Sequence, residues 1–136
     1  MTYYYGYKIP STIRSVKITK QSILPKFAFN NCNKITNITL PKNLTRIGAS
    51  AFNNCDLLEK TIFTGSLKQW AQIKFEDNPI QYSKNLYVEN QIKPISQIDW
   101  SNESIEVSRG AFYKCGSLQK IIVGKNVRFK EEDAEN

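Results

Sequence analysis

The chain has 136 residues, 40% of them apolar, which is room for one domain with a core. Nineteen Lys and Arg stand against twelve Asp and Glu, for a net charge of +7. No run of 18 apolar residues occurs, so no helical membrane span is expected, and the absence of histidine removes the usual general base, every His-containing triad and the commonest metal ligand.

In chain order, the first feature is a cluster of tyrosines at Tyr3, Tyr4, Tyr5 and Tyr7. It reads as a cap over the first unit of whatever follows, and tyrosine is also a favoured interface residue. An aliphatic pattern, Ile13, Val16, Ile18, comes next. It recurs as Ile35, Ile38, Leu40, then Leu58, Thr61, Phe63, then Ile95, Ile98, Trp100, and last Leu118, Ile121, Val123. The starts are spaced by 22, 23, 37 and 23 residues, so one unit carries an insertion of 14. Three copies follow a cassette of the form Ala-Phe-x-x-Cys, beginning at Ala28, Ala51 and Ala111. A period of this length marks a solenoid.

The end of each pattern alternates with period two, which predicts a strand with apolar residues facing in. Pro41 marks the following turn, and Leu44 and Ile47 form a return segment, with Leu24 and Val107 at the phase of Ile47. Five strands at about 4.8 Å spacing make a parallel ladder about 20 Å long. Phe29, Phe52 and Phe112 share one phase and are expected to stack inside. Cys32, Cys55 and Cys115 share another and read as buried ladder positions; their odd number and wide spacing argue against a disulfide framework and against a zinc site.

Residues 65–94 break the period. Ser66 and Gln69 match a capping box, which predicts a short helix over SLKQWAQIKF with Leu67, Trp70 and Ala71 inward. Asn78-Pro79 ends or turns the chain, and LYVENQIK reads as a tight hairpin near Asn90. Trp70 and Tyr87 either seal the widened unit or belong to a protruding recognition element.

The residues ITNITLPKNLTRIGASAFNNCDLLEK, together with Gly65, Leu67, Trp70, Asn78-Pro79 and Asn85-Leu86-Tyr87, resemble the repeat of BspA-like leucine-rich-repeat proteins. The resemblance covers most of residues 9–127. Three places depart from it: Thr61 stands for an aliphatic, Ser101 for the turn proline, and Ser104 for an aliphatic that arrives one place late as Ile105. It implies a leucine-rich-repeat solenoid, mostly β with short return segments, of about five stacked units with one helix and hairpin insertion. The divisions are a Tyr-rich cap at 1–8, a repeat domain at 9–127 and an acidic tail at 128–136. MTYYYGYKIP does not resemble a signal peptide. A cell-surface location is expected if the chain is excised from a larger relative, and a cytoplasmic one if it is whole.

Neither phosphate-loop nor dinucleotide glycine motifs occur, and the one internal acid pair, Glu76-Asp77, lies on the insertion. No catalytic residue, metal site or cofactor is expected. Binding is the remaining class. The outward strand residues are Ser15, Lys17, Asn37, Thr39, Lys60, Ile62, Gln97, Asp99, Lys120 and Ile122. Ile62 and Ile122 are apolar where water is expected, and a protein partner docking there is the first expectation, with adhesion to matrix or serum proteins implied by the resemblance. Residues 1–55 hold eight basic residues and no acid: Lys8, Arg14, Lys17, Lys20, Lys26, Lys34, Lys42 and Arg46. This half reads as a solvated face, or as the contact of an anionic partner such as nucleic acid, an acidic protein or a sulfated glycan. The rival function is therefore a small cytosolic inhibitor that uses the basic half to occlude a nucleic-acid-processing enzyme or its nucleic acid.

Overall fold

The computed structural model describes residues 9–131. The expected Tyr-rich cap at 1–8 lies outside them. Among the described residues the elements run β1 Ser15–Lys17, β2 Ile23–Leu24, β3 Asn37–Leu40, β4 Arg46–Ile47, β5 Lys60–Phe63, α1 Leu67–Ala71, β6 Lys74–Phe75, α2 Ile80–Ser83, β7 Tyr87–Val88, β8 Gln97–Trp100, β9 Ile105–Val107, β10 Lys120–Val123 and β11 Val127–Phe129. All pairings are parallel. The architecture is a β-solenoid of about five turns, as the repeat predicts.

The register follows the repeat. Ser15, Asn37 and Lys60 lie side by side, as do Val16, Ile38 and Thr61. Leu24 pairs with Ile47, and Ile47 with Phe75, on the return side. Main-chain hydrogen bonds tie coil to coil around the whole circumference: Phe29 N–H donates to the Ala51 carbonyl and Asn31 N–H to the Asn53 carbonyl, both at 2.7 Å. A stack this tight needs glycine where coils touch. A Cβ on Gly48 would stand 2.6 Å from the Lys26 nitrogen.

The cassette is a pair of left-handed turns. The residue before its alanine has positive φ in all three copies, Phe27 at 61°, Ser50 at 57° and Gly110 at 73°. The residue before its cysteine does too, Asn31 at 65°, Asn54 at 66° and Lys114 at 61°. Asparagine tolerates this region because its short polar side chain bonds locally; serine and lysine pay for it in steric strain.

The single five-strand ladder is not formed. The front strands make a four-stranded sheet, β1-β3-β5-β7, and a separate pair, β8-β10. The fourth place is taken by β7, from the insertion, which sets Tyr87 beside Ile62 and Val88 beside Phe63. Glu89 and Asn90 then turn left-handed, at φ 52° and 61°, which ends the strand after two residues. The chain doubles back, Ile95 N–H bonding the Leu86 carbonyl at 2.8 Å, before β8 begins. The buried core falls into two clusters, one from Leu24 to Ile95 that also takes in Cys115, and a second of Ala71, Ile98, Trp100, Ile105, Val107 and Ala111, with Phe112 and Leu118 packed against both.

The phenylalanine stack divides as well. Phe29 and Phe52 lie stacked, centroids 5.9 Å apart and planes 13° apart. Phe112 instead tilts against Trp100 at 6.1 Å, because the fourth coil stands between it and Phe52. That coil splices the two cassettes with side chains. The Asp77 carboxylate accepts from Phe52 N–H at 2.7 Å, and the Asn78 amide donates to the carbonyls of Gly110 and Ala111 at 2.8 and 3.1 Å. Asn78-Pro79 thus opens α2 instead of ending a unit, with Pro79 at its N-cap.

The capping box is present, Gln69 N–H to Ser66 Oγ at 3.1 Å and Ser66 N–H to Gln69 Oε1 at 2.8 Å. The helix stops at Ala71 because β6 takes up the return ladder three residues later. Thr61, where an aliphatic is usual, is fully buried and shares a 2.9 Å hydrogen bond with Ser83, a partner supplied by α2. Ile105 and Val107 are both buried with Glu106 outward, so the phase resumes after Ser104. The repeat also runs past 127, since Arg128 and Phe129 are in β11 and Lys130 N–H bonds the Val107 carbonyl at 2.9 Å. No described helix is long and apolar enough to cross a membrane.

Candidate protein-binding face

The outer face of the four-stranded sheet carries two columns of side chains. One is Ser15, Asn37 and Lys60; the other is Lys17, Thr39, Ile62 and Tyr87. Alternation fixes their direction: Ile38, Leu40, Thr61, Phe63 and Val88 are buried on the opposite side. Polar contacts hold the columns in place. Ser15 Oγ donates to Asn37 Oδ1 at 2.8 Å, and Lys60 Nζ sits 5.0 Å over the Tyr87 ring. The face is therefore a small flat platform across four strands, with Ile62 and Tyr87 half-buried toward its β7 edge, Lys60 on the strand of Ile62 and Lys17 on the far strand. Beside it, the turn after β7 exposes Ile92 almost completely, at 91%.

The predicted site residues fall in two places. Lys17, Asn37, Thr39, Lys60 and Ile62 share the platform. Asp99, Lys120 and Ile122 lie on the separate β8-β10 pair, with Lys120 beside Gln97 and Ile122 beside Asp99. The Asp99 carboxylate accepts from Ser101 Oγ and N–H at 2.7 and 3.0 Å, and these bonds hold its pKa below the ordinary carboxylate value. Tyr87 is the residue that strand-phase reasoning missed. Its pairing with Ile62 depends on the insertion returning to the ladder, and the repeat period carries no mark of that. The unusually early strand-like run LYV was the available signal.

The basic residues do not gather on one side. Arg14 directly precedes the front strand and Lys17 ends it, Lys20 and Lys42 lie in the turns after front strands, Lys26 and Arg46 on the return side, and Lys34 in the turn leading back to the front. Lys8 lies outside the described residues. Arg46 is paired with Glu76, two guanidinium nitrogens within 3.3 Å of the carboxylate. The charge wraps the first coils and does not form a stripe.

The acid pair and the cysteines are occupied structurally. Glu76 holds Arg46. Asp77 also accepts from Asn78 N–H at 2.9 Å and Gln81 Nε2 at 2.6 Å; burial raises its pKa, and these bonds oppose the rise. Cys32, Cys55 and Cys115 are buried free thiols, and burial first, then nearby Cys32, Asp77 and Asp56, push Cys55 up to about 12. Cys55 Sγ donates to the Phe29 carbonyl at 3.3 Å. Trp70 is fully buried and its indole N–H reaches the Ala111 carbonyl at 2.8 Å, so it seals the widened unit. Among the described residues no cluster of Cys, Asp and Glu is placed to hold a metal ion.

A profile described as BspA type leucine rich repeat region matches residues 4–97 in six copies. The chain belongs to the BspA-type leucine-rich-repeat family. This leucine-rich-repeat membership implies a protein-interaction module. No curated protein and no solved structure matches the chain.

Proposed function

We propose that this leucine-rich-repeat chain is a non-enzymatic, adhesin-like binding module whose protein partner docks on the outer face of β1-β3-β5-β7. The observation that carries the reading is the Ile62–Tyr87 pair. It is an apolar and aromatic pair at the β5-β7 end of the sheet, flanked by Lys60, Asn37, Thr39 and Lys17. Interfaces concentrate their energy in a few apolar and aromatic residues with polar surrounds. The backbone beneath Ile62 is fixed by ladder bonds on both sides and that beneath Tyr87 on one, so binding requires little ordering of the site. The rival, an inhibitor acting through the basic half, needs its cations on one surface, and their spread around the coils disfavours it.

The test is capture of partners from the source organism's cells and surroundings by the immobilised chain. Ile62→Glu combined with Tyr87→Glu, checked for fold by circular dichroism, is expected to lose the partner, while Lys26→Glu with Lys42→Glu keeps it. A folded platform mutant that still captures the same protein contradicts the reading. Affinity that falls steeply with salt, near −0.9 log units per log unit per phosphate contacted, points instead to nucleic acid.

A further inference from the structure

The two departures from the repeat in the turn after β8, Ser101 for the proline and Ser104 for an aliphatic, enclose Asn102 and Glu103. Together they create the triplet Asn102-Glu103-Ser104. Asn-x-Ser/Thr without a central proline is the acceptor pattern for an N-linked oligosaccharide, and it works where the segment is on the surface. Asn37-Ile38-Thr39 and Asn43-Leu44-Thr45 also fit the pattern. The fold treats the three differently.

Asn37 and Thr39 are half-buried in β3, which is laddered to β1 on one side and β5 on the other, and Asn37 Oδ1 accepts from Ser15 Oγ. Asn43 and Thr45 tie the second coil to the first. Asn43 Nδ2 donates to the Lys20 carbonyl and Thr45 Oγ1 to the Ser22 carbonyl, each at 2.9 Å, and Leu44 between them is buried. Asn102 and Ser104 are both exposed. Among the described residues neither side chain has a hydrogen-bond partner in the protein. Their turn is nevertheless held, by Glu103 N–H on the Trp100 carbonyl and by the Glu103 carboxylate on Lys68, both at 3.3 Å. Counted back from Val107, which has the phase of Ile47, Ser104 stands in the place of Leu44 and Asn102 in that of Lys42. A buried aliphatic has become an exposed hydroxyl, and the asparagine has moved to the tip of the turn. This exchange gives up apolar burial, so packing does not account for it.

We propose that Asn102 carries an N-linked oligosaccharide. The donor is a lipid-diphosphate-linked oligosaccharide. Asn102 Nδ2 forms a bond to C1 of its first sugar as the bond from C1 to the diphosphate oxygen breaks. The lipid diphosphate leaves with that electron pair, and one amide proton passes to a base of the transferring enzyme. The proposal rests on the adhesin-like reading in one respect, that export brings the chain to that enzyme. The site suits the reading in turn. The turn belongs to the β8-β10 pair and not to the β1-β3-β5-β7 sheet, so sugar there leaves the platform open, whereas sugar on Asn37 would cover it.

The test is mass spectrometry of the chain recovered from its source cells, before and after a peptide N-glycosidase that leaves aspartate wherever it removes sugar. The peptide spanning Asn102 is expected to carry the mass of an oligosaccharide and to end with aspartate at that position. Ser104→Ala is expected to lose that mass and Ser104→Thr to keep it, both folded by circular dichroism and both still capturing the partner. A bare Asn102 in the wild type, or sugar retained there in Ser104→Ala, would overturn the proposal, and the wild-type peptide decides where a variant does not fold. The two readings fail separately. Sugar on Asn102 with no partner captured contradicts the platform and supports the modification; a bare Asn102 with the partner captured does the reverse.

Discussion

Replacing Phe52 with alanine removes one ring from the point where the second coil lies on the first. Phe52 is fully buried, and it stacks on Phe29 at 5.9 Å. Truncation of a buried phenylalanine costs about 3–5 kcal/mol, and the lost aromatic pair adds about 0.5–1.5 kcal/mol beyond its area. Against a total of about 5–15 kcal/mol for a domain, this is a large share. In a chain of this length the melting temperature should drop by about 10–20 °C. Phe112→Ala is the internal comparison. Phe112 is less buried than Phe52 and touches Trp100 at an angle instead of stacking, so its loss should cost less. Thermal and urea unfolding followed by circular dichroism measure both. Equal losses for the two, or less than about 1 kcal/mol for Phe52→Ala, would refute the idea that the first two cassettes alone share a stacked ring column.

Other consequences follow from the cassette, the splice and the thiols. Ser50→Gly and Lys114→Gly each relieve a left-handed residue and should raise stability by up to about 1 kcal/mol, read as a higher urea midpoint. Asp77→Ala strands the Phe52 N–H and should cost about 1–3 kcal/mol, whereas Asp77→Asn keeps an acceptor and should stay within about 1 kcal/mol of wild type at neutral pH. Because burial raises the Asp77 pKa, its favourable contribution is present in acid and fades as pH rises through the folded pKa, so wild type should gain on Asp77→Asn as pH falls. Cys55 has its folded pKa raised to about 12, so its contribution is intact below the unfolded thiol pKa and lost above it; stability should decline from about pH 9 upward, more steeply than in Cys55→Ala. In the native state at pH 8 all three buried thiols should resist a thiol reagent that labels them readily after unfolding.

The coil itself was legible because its signal is redundant. Every unit repeats a period-two strand at a fixed offset, and a one-residue slip would turn Ile38, Leu40 and Phe63 out to water. The capping box was legible for a similar reason, since both of its bonds are local to Ser66 and Gln69. The division of the ladder was not. It depends on two glutamate and asparagine residues adopting left-handed φ after Val88, and neither type demands that conformation. Asp77 and Asn78 were read as an acid pair and a turn because their roles are defined by cassettes 25 to 33 residues away. The binding face was half legible. The columns of Ser15, Lys17, Asn37, Thr39, Lys60 and Ile62 follow from alternation, while Tyr87 joins them only through the pairing of β5 with β7.

That pairing is the hinge of the functional account, because without it Ile62 has no aromatic neighbour and the platform ends one strand earlier. Nuclear Overhauser contacts across the front ladder test it directly. The account predicts backbone contacts from Ile62 and Phe63 to Tyr87 and Val88, alongside those from Thr39 and Leu40. Contacts from Ile62 and Phe63 to Asp99 and Trp100 instead, with Tyr87 remote, would contradict it.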